Sequence, residues 1–150
     1  MKSSIRIAKP EDEKSIIKCV NDSYSKFIGR IGKKPAPMLD EYNSKIQNNW
    51  VHVFEKNNKI VGIIILVPNS DHIYLGNLAV HPIFQGQGIG RQLLLHAESF
   101  AKSHGLTEIR LFTNEAMHEN LTIYSKFGYI ETERKTENGY KRVYFKKKVL

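Results

Sequence analysis

Ser3 to Ala8 alternates apolar and polar residues, the period-two pattern of a half-buried strand, and Lys9-Pro10-Glu11-Asp12 then supplies the proline and acids that open a helix. A first helix is predicted from about Glu11 to Phe27. The next stretch, GRIGKKPAPMLDEY from Gly29 to Tyr42, mixes glycine, proline and charge without periodicity, before a short helical stretch ends near Asn49. Trp50–Glu55 and Lys59–Val67 predict two strands joined at Lys56-Asn57-Asn58, a hairpin signal. The second is apolar on both faces and therefore central. Tyr74–Val80 predicts a third strand, ending at His81-Pro82. Leu94, Leu95, Phe100 and Ala101 fall in helical rhythm over Arg91–His104, which stops at Gly105. Thr107–Phe112 reads as a strand and Asn114–Phe127 as a helix finishing at Gly128. Tyr129–Arg134 and Lys141–Lys148 form a terminal hairpin across Glu137-Asn138-Gly139. The order is strand, one or two helices, three strands, helix, strand, helix, two strands. It argues for a mixed α/β fold and against a strictly alternating, doubly wound sheet.

Length and composition fit one globular domain over residues 1–150, since 41% hydrophobic and 10% aromatic residues suffice for a core. The opening MKSSIRIAKPEDEK lacks the apolar stretch of a signal peptide, and the longest apolar run, Ile60 to Val67, is too short to span a bilayer. A soluble cytoplasmic protein with no membrane partner is expected. Cys19 is the only cysteine, so a disulfide within the chain is impossible, and it reads as a small apolar filler. No metal is expected. The net charge of +8 suits an anionic partner such as a nucleotide, a nucleic acid or an acidic surface. Lys135, Lys141, Arg142, Lys146, Lys147 and Lys148 crowd the C-terminal end, where lysines on a solvated edge strand protect it from aggregation. Tyr140, Tyr144 and Phe145 lie among them, but no nucleic-acid partner is expected.

One corner bears on that anion. HPIFQGQGIGR, from His81, places Gly86, Gly88 and Gly90 just before an apolar helix. Glycines let backbone approach a ligand closely, and the first turn of the helix leaves amide N–H groups pointing outward. With the helix macrodipole and Arg91 beside it, the corner suits a phosphate. It is not a P-loop, because Gly90 is followed by Arg91-Gln92 instead of lysine and a hydroxyl residue. Nor is it a dinucleotide fingerprint, because Arg91 stands where the third glycine belongs.

The spelling Gln-x-x-Gly-x-Gly, as Gln85-Gly86-Gln87-Gly88-Ile89-Gly90 after the strand LGNLAVHP, resembles the general N-acetyltransferase (GNAT) superfamily. In that family this motif holds the pyrophosphate of acetyl-CoA between a strand and a helix. NLTIYSKFGYIETER from Asn120 resembles the family's second cofactor region. The resemblance covers nearly the whole chain. It implies a central, mostly antiparallel mixed sheet of about seven strands with about four helices, splayed at the cofactor site, as the order read above also counts. It implies an acyltransferase that moves the acetyl group of acetyl-CoA to a primary amine of a small molecule or peptide, by direct attack in a ternary complex. Acetylation of protein amino termini or lysines, and a non-catalytic CoA-binding module, are the other readings. A homodimer pairing the terminal strand across a two-fold axis is compatible with it.

Residue by residue, the resemblance implies that pantetheine lies against the backbone of Leu78, Ala79 and Val80. It places the pyrophosphate on Gln85, Gly86, Gln87, Gly88, Ile89, Gly90 and Arg91. A backbone N–H near Leu78 polarises the thioester carbonyl, and Tyr124 protonates the departing thiolate. Asn120, one helical turn before Tyr124, is placed either to bond pantetheine or to fix the tyrosine, and Asn114, at the start of the predicted helix, either to cap it, the favoured reading, or to touch the cofactor. The chain departs from the commoner pattern in having Met117 where an asparagine stands. It also has Gly76 and Asn77 where relatives place a carboxylate. For the base that removes the amine proton, His72, Tyr74, Asp40, Glu115 and a water relay are the candidates. Acceptor recognition falls to the irregular Gly29–Tyr42 segment, where Asp40 and Glu41 suit a cation and Tyr42 lines its pocket.

Overall fold

The computed structural model describes residues 3–149. The elements, in chain order, are β1 (Ser3–Ile7), α1 (Glu13–Tyr24), α2 (Ile28–Ile31), α3 (Tyr42–Gln47), β2 (Val51–Lys56), β3 (Lys59–Pro68), β4 (Ile73–Val80), α4 (Ile89–Ser103), β5 (Glu108–Asn114), α5 (His118–Lys126), β6 (Ile130–Glu137) and β7 (Tyr140–Lys148). The strands form one mixed sheet in the order β1-β2-β3-β4-β5-β7-β6. By contacts the chain divides into two compact units, Met1–Leu66 with Asn77–His96, and Val67–Gly76 with Ala97–Leu150.

In the first unit, β1 pairs antiparallel with β2, and β2 with β3. The β2–β3 turn is the two-residue loop Asn57-Asn58 with φ of 51° and 65°, the left-handed pair that matches strand twist. Helix α1 buries Ile16, Cys19, Val20, Ser23 and Tyr24, one stripe at helical spacing. Its start is anchored by Arg6, whose guanidinium reaches Asp12 at 2.7 Å and Glu55 at 3.1 Å. Strand β3 is buried along most of its length, as its unbroken apolar run predicts. Gly62 on it lets α4 approach closely. A Cβ there would stand 3.2 Å from both Ile89 Cγ2 and Leu93 Cδ1, and 3.3 Å from Ala79 O.

In the second unit, β4 pairs in parallel with β5, over Ile73–Leu75 against Ile109–Leu111. Strand β7 lies between β5 and β6, so the basic C-terminal strand is interior and β6 is the edge. The edge reading of the terminal lysines therefore moves to Lys135 on β6. Lys147 of β7 instead bonds Glu98 at 2.8 Å and donates to Phe127 O at 2.7 Å, closing the end of α5. Helix α5 starts four residues later than its pattern predicts, because Asn114 remains the last residue of β5. The Asn114 Oδ1 accepts from Ala116 N at 2.8 Å, so the residue closes a turn before the helix and does not cap it.

Candidate active site

The glycine corner follows β4. Gly86 and Gly88 both hold φ of +81°, a backbone conformation open to glycine, and an added Cβ at either meets no atom within 4 Å. The space a side chain would take is open to a ligand. Helix α4 begins at Ile89, so Gly90, expected in the loop, stands in its first turn. The first bond into the helix is Gln92 N to Gly88 O at 3.0 Å, which leaves the amides of Ile89, Gly90 and Arg91 ahead of the helical ladder. Arg91 and Gln87 are exposed. These residues fit a phosphate-bearing group. Sequence reasoning missed Lys56, whose ammonium donates to Gln87 Oε1 at 2.9 Å from the β2–β3 hairpin.

On β4, Leu78 and Val80 are half-buried and Ala79 is buried. Where a carboxylate was sought, Asn77 is only 4% exposed and held between two tyrosines. Its Oδ1 lies 2.5 Å from the Tyr24 hydroxyl, and its Nδ2 donates to the Tyr42 hydroxyl at 3.0 Å. Tyr24 also donates to Leu78 O at 2.7 Å, and Tyr42 to Pro37 O at 2.6 Å. The Gln85 amide turns back to Val80 O at 2.9 Å instead of reaching outward. Tyr42 is thus part of this buried cluster, which raises its phenol, chiefly by desolvation. Nothing in the spacing of these residues announces the cluster, because its partners lie 53 and 35 positions apart.

In the second unit, Tyr124 is buried on α5 with Tyr129 edge-on at 5.6 Å and Phe145 at 6.0 Å between ring centres. Burial, with a smaller contribution from Tyr74, raises its phenol above the ordinary value. The hydroxyl therefore stays protonated at neutral pH, and its gap to a thiol widens. Asn120 donates to Met117 Sδ at 3.5 Å, and Thr113 to the same sulfur at 3.8 Å, so Met117 packs where the resemblance leads one to expect an asparagine. The Tyr129 hydroxyl is buried without a hydrogen-bond partner among the described residues.

Of the base candidates, His72 pairs with Asp71 at 2.7 Å and Glu115 with Arg134 at 3.1 Å. Desolvation raises the Asp40 carboxyl, the direction a base requires. Glu41 caps α3, accepting from Asn43 N and Ser44 N at 3.0 Å each. Among the described residues no helix is long and apolar enough to cross a membrane.

This fold is that of the N-acetyltransferases. The PaiA N-acetyltransferase from Thermoplasma acidophilum, solved in complex with coenzyme A, superposes with a TM-score of 0.83 over 99% of each chain at 22% identity. The ribosomal-protein-S18-alanine N-acetyltransferase from Escherichia coli gives 0.77 over 99% of this chain and 94% of its own, at 17% identity. In sequence, residues 17–129 match the acetyltransferase (GNAT) family, and the chain belongs to that family. It is 28% identical over 108 residues to YesJ of Bacillus subtilis, named an uncharacterized N-acetyltransferase. That match spans 61% of this chain and little more than half, 58%, of the relative.

Proposed function

We propose that residues 1–150 act as one N-acetyltransferase domain, carrying the acetyl group of acetyl-CoA to a primary amine of a small molecule or peptide through a ternary complex. The observation that carries the reading is the corner itself. Two glycines at φ of +81° with open space about them lead straight into the unbonded first amides of α4. On this reading Gly86, Gln87, Gly88, Ile89, Gly90 and Arg91 receive the pyrophosphate, while Gln85, expected among them, is turned back to Val80 O. Leu78 and Val80 align pantetheine beside Ala79, whose own backbone faces β3, with Asn114 and Asn120 as outer contacts. The end of the β4–β5 ladder at Leu75 supports an arm lying beyond it.

The amine nitrogen attacks the thioester carbon while Leu78 N–H polarises the carbonyl oxygen. The carbon–nitrogen bond forms, the carbon–sulfur bond breaks, and Tyr124 supplies a proton to the departing sulfur. The amine proton leaves to water or to Asp40. The test is free-thiol release from acetyl-CoA with a panel of amines, amino acids and short peptides. Release that depends on one amine class supports the reading and names the acceptor. Binding of acetyl-CoA without release from any acceptor would favour a CoA-binding module.

A further inference from the structure

Two carbonyls on one edge of β4 are held by side chains. His81 N donates to Val61 O at 2.8 Å, and Ala79 O lies 3.3 Å from where a Cβ of Gly62 would stand, so residues 79 and 81 face β3. In an extended strand each residue turns its N–H and C=O to one edge, and its neighbours turn theirs to the other. Leu78 and Val80 therefore face away from β3, along the edge where the ladder to β5 ends at Leu75. On that edge Leu78 O accepts from Tyr24 and Val80 O from Gln85.

We infer that Tyr24 and Gln85 cap these carbonyls, so that the position opposite Leu78 favours a thioester carbonyl over an amide. The inference rests on the acetyl-transfer reading and adds what fixes the register of the acyl arm. A pantetheine amide set opposite Leu78 brings an N–H as well as a carbonyl, and that N–H must share an oxygen that already accepts from Tyr24, which makes a weaker second bond. A thioester brings an acceptor alone. Slippage of the arm along the strand is thereby penalised, and the reacting carbon stays at the Leu78 N–H. Tyr24 and Gln85 are positioning residues in this scheme.

Asn77 sets the strength of the cap. Tyr24 divides one proton between Asn77 Oδ1 at 2.5 Å and Leu78 O at 2.7 Å. Deleting the Tyr42 hydroxyl removes the acceptor of Asn77 Nδ2. The amide then turns that group to the Tyr24 oxygen, and the proton passes wholly to Leu78 O. Deleting the Tyr24 hydroxyl instead leaves Leu78 O open. The two deletions act on the cap in opposite directions, which a packing role does not predict.

The test compares the full chain with its Tyr24→Phe and Tyr42→Phe variants. Calorimetry measures acetyl-CoA binding, thiol release gives kcat, and infrared difference spectra follow the isotope-labelled thioester carbonyl. Tyr24→Phe is expected to bind within about threefold of wild type, turn over about tenfold slower and lose the lowered carbonyl frequency, while Tyr42→Phe keeps that frequency. Unchanged kcat and frequency in Tyr24→Phe, or equal losses in both variants, overturn the inference. If thermal melts show Tyr24→Phe unfolded, Gln85→Met at its exposed position uncaps Val80 alone, and an unchanged kcat there overturns it equally. Wild type that binds no acetyl-CoA overturns the acetyl-transfer reading and this inference together. Wild type that binds, with no response to Tyr24→Phe, overturns the inference alone.

Discussion

Tyr24 in the first unit and Tyr124 in the second are 4% and 5% exposed, yet their surroundings are opposite. The Tyr24 hydroxyl sits among amide and carbonyl oxygens, bonded to Asn77 and Leu78. Tyr124 is ringed by Tyr129 and Phe145. The lesson is that burial alone does not assign a tyrosine its role. A phenol committed to a main-chain oxygen fixes a strand, whereas one raised by desolvation among rings keeps its proton for a partner that arrives with charge.

The comparison breaks most visibly at Asn77. Replacing Asn77→Leu leaves the Tyr42 oxygen without its donor and Tyr24 with one acceptor fewer, so a loss of about 2–4 kcal/mol is expected in denaturant melts. A change near zero would mean that the cluster contributes packing alone. Next comes Tyr124→Phe, which is expected to lower kcat at least tenfold, about 1.4 kcal/mol in the barrier, with acetyl-CoA affinity nearly unchanged. Because desolvation raises that phenol above 10, the alkaline limb of the wild-type kcat profile should show no loss of the acid below pH 10. Equal turnover removes Tyr124 from the acid role.

The first unit holds a second buried polar pair. His96 Nε2 meets His52 Nδ1 at 2.9 Å, and burial lowers the His96 imidazolium below its ordinary 6.5. The unfolded chain therefore takes up the proton first. Stability from the neutral ring is full above pH 6.5 and is lost as pH falls from 6.5 toward the lowered folded value. Hydrogen exchange should show amides of β2 and the start of α4 losing protection in acid before those of β7. The smallest effect sharpens the contrast from the other side. Tyr129→Phe removes a hydroxyl without a partner among the described residues, so stability should stay within about 0.5 kcal/mol of wild type or rise. A loss comparable to that of Asn77→Leu would mean the hydroxyl is satisfied after all.

Periodicity and turn chemistry made much of this legible. The element order and the central burial of β3 follow from local pattern, as do the Asn57-Asn58 and Asn138-Gly139 turns with all four residues at positive φ. The glycine corner was legible because its residues are adjacent. What pattern missed is what depends on distant partners. Asn77 reads as a weak strand residue until Tyr24 and Tyr42 fold onto it. Gly62 carries no signal of its own in the apolar run of β3, and its use shows only where α4 packs on it. The terminal strand reads as an edge because lysines usually mark edges, but β6 folds outside it. Helix α5 was begun too early because Asn114 has the chemistry of a cap and uses it on a turn instead.

Calorimetric titration of acetyl-CoA into wild type and Gly88→Val tests the central claim most directly, since valine at φ of +81° is strained and fills the open space beside the first amides of α4. The account predicts micromolar binding by wild type and a loss of at least tenfold in the variant, with both proteins folded. Equal binding by the two, or none by wild type, would contradict it.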